Sequence, residues 1–128
     1  MSKYTTQMDA AKQGIITPEM KAVAAKEYRT EDEIRDLIAN GQVVICANKR
    51  HTCINPNGVG SMLRTKINVN LGISRDCKDY EIEMQKVMAA VNLGAEAIMD
   101  LSSHGNTQPF RRKLTAECPA MIGTVPVY

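Results

Sequence analysis

Lys66, Asn68 and Asn70 occupy alternate positions in the segment Arg64–Leu71 (RTKINVNL), with Ile67, Val69 and Leu71 in between. Strand side chains alternate between faces, so the three polar groups share one face and the three apolar ones the other. Polar groups on a buried sheet must find hydrogen-bond partners. A ligand bearing hydroxyls, ring nitrogens and a phosphate would supply them; neighbouring loops would serve as well. Asp100 stands near the end of the apolar run Ala97–Leu101 (AIMDL), either as a cap or as a site carboxylate. His104 follows on the loop beyond, where an imidazole is ordinarily just solvated. Asn57–Ser61 (NGVGS) could cradle a phosphate through backbone N–H groups, though such turn residues more commonly make a flexible loop.

These patterns name no catalytic residue. G-x-S-x-G, a Walker A loop and H-E-x-x-H are all absent. Cys46, Cys53, Cys77 and Cys118 are irregularly spaced without a C-x-x-C pair and read as free thiols. His51, Cys53, Cys77 and His104 lack the spacing of metal ligands, so no metal site is expected in this chain. Arg111-Arg112-Lys113 falls mid-helix and reads as a solvent-facing turn.

The bulk numbers narrow the class. A net charge of +2 is too small to imply a nucleic-acid or membrane partner. No apolar run approaches the ~20 residues that span a bilayer, and the first residues lack the apolar core of a signal peptide. A cytoplasmic, globular domain is expected. Eight Met and a single Phe among 128 residues suggest that flexible thioethers fill gaps in its core.

The elements that must position the polar residues follow from local signals. The first forty residues read as three short helices. Thr17-Pro18 supplies a cap and a first-turn proline, Thr30 and Glu33 a capping box, and Asn40-Gly41 a helix stop. Strand Gln42–Ala47 precedes a loop, Asn48–Met62, and strand Arg64–Leu71. A helix over Tyr80–Leu93 places Met84, Val87, Met88 and Val91 at core spacing and stops at Gly94. Strand Ala97–Leu101, a helix over about Gln108–Glu117 capped by Asn106-Thr107, and strand Met121–Tyr128 complete the chain.

This β-α-β-α-β order predicts an α/β fold with a parallel sheet. Asn70, Met99 and Tyr128 lie near the ends of three successive strands at equal intervals of 29 residues. One unit of a (β/α)8 barrel averages roughly 31 residues, and barrel sites lie at the carboxyl ends of the strands. The expected architecture is a helical lead-in, 1–41, followed over 42–128 by the first strand–helix units of a (β/α)8 barrel. Three units cannot close such a barrel, and a final strand with no covering helix suggests truncation. A small open sheet complete in itself is the alternative.

Several segments resemble the ThiC family: Ile16–Met20, Ala47–His51, Gly58–Gly60, Leu63–Gly72, Ile98–Ser102 and Gly123–Tyr128. The likeness covers nearly the whole chain in order. It implies a radical S-adenosylmethionine lyase on a (β/α)8 barrel that rearranges 5-aminoimidazole ribonucleotide. The product is hydroxymethylpyrimidine phosphate for thiamine or, in a close relative, 5-hydroxybenzimidazole for cobalamin. The resemblance implies substrate contacts at Asn70, Met99 and Tyr128, with Asn68, Lys66 and Asp100 as further candidates. It implies a 4Fe-4S cluster, S-adenosylmethionine and a zinc-type metal, whose ligands all lie outside this chain, and a homodimer at full length. Asn55-Pro56 and Ser103–Thr107 depart from the thiamine-branch pattern and tilt the expectation toward the benzimidazole relative. The chain alone is expected to be inactive. The rival is a non-catalytic binding or interaction module derived from the same family.

Overall fold

The computed structural model describes residues 4–125. They form two compact units. The first runs up to Ala47 and takes in Pro56–Thr65; the second is Asn48–Asn55 with the chain from Lys66 onward.

In the first unit, helices α1 (Gln7–Lys12), α2 (Pro18–Glu27) and α3 (Glu31–Ala39) stand where the sequence predicts three. Their ends are set locally. The Thr17 hydroxyl accepts from Met20 N at 3.2 Å, and Thr30 and Glu33 make the reciprocal capping box. Gly41 takes φ +72° beyond α3, the left-handed turn that glycine tolerates. Ala10, Met20, Val23, Ile34 and Ile38 form a common core with Val43. Glu27 is buried beside it, its carboxylate accepting from Arg64 N at 2.7 Å.

Strand β1 (Val43–Cys46) pairs antiparallel with β2 (Asn57–Gly60), from Val43↔Gly60 to Cys46↔Asn57. The expected loop Asn48–Met62 therefore contains a strand, and β1 shares its core with the helices. The glycines explain why that strand is hidden in the sequence. A Cβ on Gly58 would come within 2.8 Å of Val23 Cγ1 and Leu63 Cδ1. One on Gly60, at φ +146°, would lie 2.1 Å from the Gln42 carbonyl oxygen. Glycine is needed for close packing in a hairpin rather than for a phosphate cradle.

The second unit contains β3 (Asn68–Leu71), α4 (Tyr80–Asn92), β4 (Ala97–Asp100), α5 (Gln108–Glu117) and β5 (Met121–Thr124). The sheet order is β3-β4-β5 and both pairings are parallel, as alternation of strands and helices demands. Met84 and Val87 of α4 pack with Phe110 and Leu114 of α5 over Ile98, so both helices cover one face. Val69, Leu71 and Ile122 complete that face.

Two apolar assignments are corrected within this unit. Ile67 precedes the ladder and is 59% exposed, and Met88 faces outward on α4. The expected Asn106-Thr107 cap opens α5: Thr107 is the N-cap residue, and the Asn106 side chain accepts from Gln108 N at 3.2 Å. The 29-residue interval is met in register from β3 to β4. Asn70 pairs with Met99 as that interval requires, but the register mate of Met99 on β5 is Gly123. The step from β4 to β5 is shorter than that from β3 to β4 because α5 and its connections are shorter than α4 and its own, while Tyr128 lies outside the described residues.

Candidate functional site

Residues in register on parallel strands point to the same side of a sheet. Asn68 and Asn70 therefore share a face with Ala97, Met99, Met121 and Gly123, opposite the face covered by α4 and α5. Asn70 and Met99 sit side by side one residue before the carboxyl ends of β3 and β4. The Asn68 carboxamide donates to Asn70 Oδ1 at 3.1 Å, which orients Asn70 and leaves its NH₂ free to donate. Met99 lies across β5, where a Cβ on Gly123 would be 2.9 Å from its Sδ and Cε. A polar donor and an apolar shelf thus stand together, suited to hold the edge and the face of a small heterocycle.

The other candidates are placed differently. Half-buried Lys66 lies before the amino end of β3, roughly 13 Å along the strand from Asn70 at ~3.3 Å per residue. Asp100 is on the helix-covered face and fully buried. Its carboxylate accepts from Ser102 N at 2.9 Å and Arg111 Nε at 2.8 Å. That is the cap alternative for Asp100. It also corrects the solvent-facing reading for Arg111, which is drawn in by Asp100, while Arg112 is exposed and Lys113 pairs with exposed Glu81. Half-buried His104 stays on the loop after β4. His51 is buried, its Nε2 2.6 Å from the Cys118 carbonyl oxygen, and Cys53 donates to the same oxygen at 3.3 Å. Both tie residues 48–55 to the end of α5.

Two open clefts lie beyond the carboxyl ends of the strands. One, about 590 Å³, is lined by Ser102, Ser103, Gly105, Thr107, Arg111, Thr124 and Val125. The other, about 360 Å³, runs past Asn70, Gly72, Ser74, Cys77, Glu83 and Lys86. Glu83, unnoticed in the sequence, is 1% exposed. Its carboxylate accepts from Gly72 N at 3.1 Å and Cys77 Sγ at 3.2 Å, and pairs with Lys86. Burial pushes this carboxyl's pKa upward, but the hydrogen bonds from Lys86, Cys77 and Gly72 outweigh it and hold the group below its ordinary value. Its spacing carried a signal: Glu83, Val87 and Val91 recur every four residues along one helix face, so the acid stands in an apolar stripe.

The parallel three-stranded sheet with helices packed on one face defines the class as an α/β domain. The sequence profile described as the Radical SAM ThiC family matches residues 6–128, and the chain belongs to that family. It is 62% identical over 125 residues to a phosphomethylpyrimidine synthase of Clostridioides difficile (strain 630). Like-named proteins of Clostridium novyi (strain NT) and Alkaliphilus oremlandii (strain OhILAs) share 59% and 58% identity with it. Each match covers 98% of this chain and 29% of the relative's length. The chain therefore spans less than a third of these relatives.

Radical S-adenosylmethionine chemistry implies an iron–sulfur cluster. Among the described residues no three His, Cys, Asp or Glu side chains converge to hold a metal. All four cysteines are free, and the thiols of Cys53 and Cys77 are engaged with a carbonyl and a carboxylate. These residues do not fit a cluster, which needs closely placed thiolates. Among the described residues no helix is long and apolar enough to cross a membrane.

Proposed function

We propose that this chain is part of a radical S-adenosylmethionine lyase of the phosphomethylpyrimidine synthase type, and that it grips the substrate 5-aminoimidazole ribonucleotide. The observation that carries this reading is the Asn70–Met99 pair, adjacent in register at the carboxyl edge of the sheet, on the face opposite α4 and α5. The Asn70 NH₂ donates to a ring nitrogen or hydroxyl of the ribonucleotide, and Met99 packs against its heterocycle. Tyr128 adds a hydroxyl clamp, with Asn68 orienting Asn70 from below.

In the whole protein, β3, β4 and β5 are the first parallel strands of a (β/α)8 barrel, with residues 1–41 as a helical lead-in. The parallel run and the covering of a single face by α4 and α5 support this architecture. The cluster, S-adenosylmethionine and a zinc-type metal bind other parts of the protein, which works as a homodimer in the cytoplasm. The names of relatives at 58–62% identity favour hydroxymethylpyrimidine phosphate as product. The departures at Asn55-Pro56 and Ser103–Thr107 keep 5-hydroxybenzimidazole as the second reading.

The test is anaerobic turnover by the full-length protein with S-adenosylmethionine, a strong reductant and the ribonucleotide, followed by mass analysis of the heterocycle. Hydroxymethylpyrimidine phosphate is expected, and Asn70→Ala is expected to raise KM about tenfold, the equivalent of one lost hydrogen bond to a polar ligand. An unchanged ribonucleotide in the wild-type reaction overturns the reading.

A further inference from the structure

β3 ends at Leu71, and the next amide has no strand partner to bond. Glu83 supplies one: its Oε2 accepts from Gly72 N at 3.1 Å, reaching from the first turn of α4 to the point where the chain leaves the sheet. The opposite side of that point is closed by the backbone just beyond β4, at Leu101 and Ser102. Gly72 takes φ +144°, and a Cβ there would lie 2.5 Å from Ser102 N and 2.9 Å from the Leu101 carbonyl carbon. The exit of β3 is thus held between a carboxylate on one flank and backbone on the other, two residues beyond Asn70. Cys77 and Lys86 occupy the second oxygen of Glu83, so the carboxylate cannot swing away from Gly72 without leaving both. All four groups line the cleft that also contains Asn70.

We infer that Glu83 is a positioning residue of the substrate site, fixing the exit of β3 so that the Asn70 carboxamide is presented at the rim. This rests on the proposed role of Asn70 as a substrate contact. Glu83 itself touches no substrate. Burying a carboxylate in an apolar helix stripe is costly unless it is fully hydrogen-bonded. An apolar residue would serve the packing of α4 alone; the acceptor is needed by Gly72.

A double-mutant cycle on the full-length protein tests this, with ribonucleotide affinity measured by calorimetry. Loss of the clamp should leave Asn70 misplaced, so Glu83→Ala is expected to weaken binding roughly five- to tenfold. In an Asn70→Ala background the same substitution should cost less than about twofold, because its effect runs through a side chain already removed. A purely structural role would give equal losses in both backgrounds, and that additivity overturns the inference while leaving the substrate reading standing. If Asn70→Ala itself binds as tightly as wild type, both fall. Should Glu83→Ala fail to fold, Glu83→Met fills the same space without an acceptor and is expected to show the same non-additivity. Glu83→Gln, which keeps an acceptor for Gly72, should bind within about twofold of wild type, as a retained hydrogen bond requires.

Discussion

Asp100 and Glu83 are both buried carboxylates at strand exits, and each is stabilised by a cation and a backbone amide. Removing one partner of such a pair exposes the cost of the other. Arg111→Ala leaves Asp100 fully buried with only Ser102 N, and about 2–3 kcal/mol of stability should be lost, less than for a fully buried pair because Arg111 is partly exposed. Urea denaturation would measure it. Glu83 predicts a pH dependence. Its pKa is lowered on folding, so its contribution is fully present above the unfolded value of about 4.3 and is lost as pH falls through the lower folded value. Glu83→Gln should therefore flatten the acid limb of stability as pH falls below the unfolded value. An acid limb as steep as wild type would refute this. The cap role of Asp100 was one of the two the sequence offered and the apolar stripe marked Glu83, but the partners of neither carboxylate were legible in the sequence. The residue types were visible, but Asp100 meets Arg111 and Glu83 meets Gly72 only after the strands and helices have packed.

At the scale of elements, local chemistry was readable and long-range pairing was not. The Thr30–Glu33 capping box, the Thr17-Pro18 start of α2 and the Gly94 stop after α4 depend on neighbours within a few residues, and each element stands where these signals place it. Thr30→Ala should cost about 1 kcal/mol for its lost cap, measurable as a shift in the denaturation midpoint. β2 was invisible because its strand character comes from β1, and its glycines mimic a loop. The same reasoning assigns Gly72 a severe penalty. Gly72→Ala forces a Cβ against Ser102 N, so the exits of β3 and β4 must separate, with a loss of about 2–4 kcal/mol typical of backbone strain in a packed site. A melting temperature within about 1 °C of wild type would show that the rim tolerates more slack than this packing implies.

At the scale of the whole molecule, the alternation of helix and strand was sufficient to predict the parallel sheet, and the face carrying Asn68 and Asn70 was legible from period-two alternation alone. The equal spacing of Asn70, Met99 and Tyr128 was a weaker guide, because register follows helix and loop lengths, and these differ between the two units. With no cluster ligands among the described residues, this chain alone should produce no heterocycle when given S-adenosylmethionine, reductant and substrate. The central claim is that the face opposite α4 and α5, at the carboxyl edge of β3 and β4, holds the ribonucleotide. Its most direct test is a crystal structure of the full-length protein with 5-aminoimidazole ribonucleotide bound. The ligand should lie within about 3.2 Å of the Asn70 carboxamide, hydrogen-bond range, and in van der Waals contact with Met99. A ribonucleotide bound elsewhere, with Asn70 and Met99 facing only solvent or protein, would contradict the account.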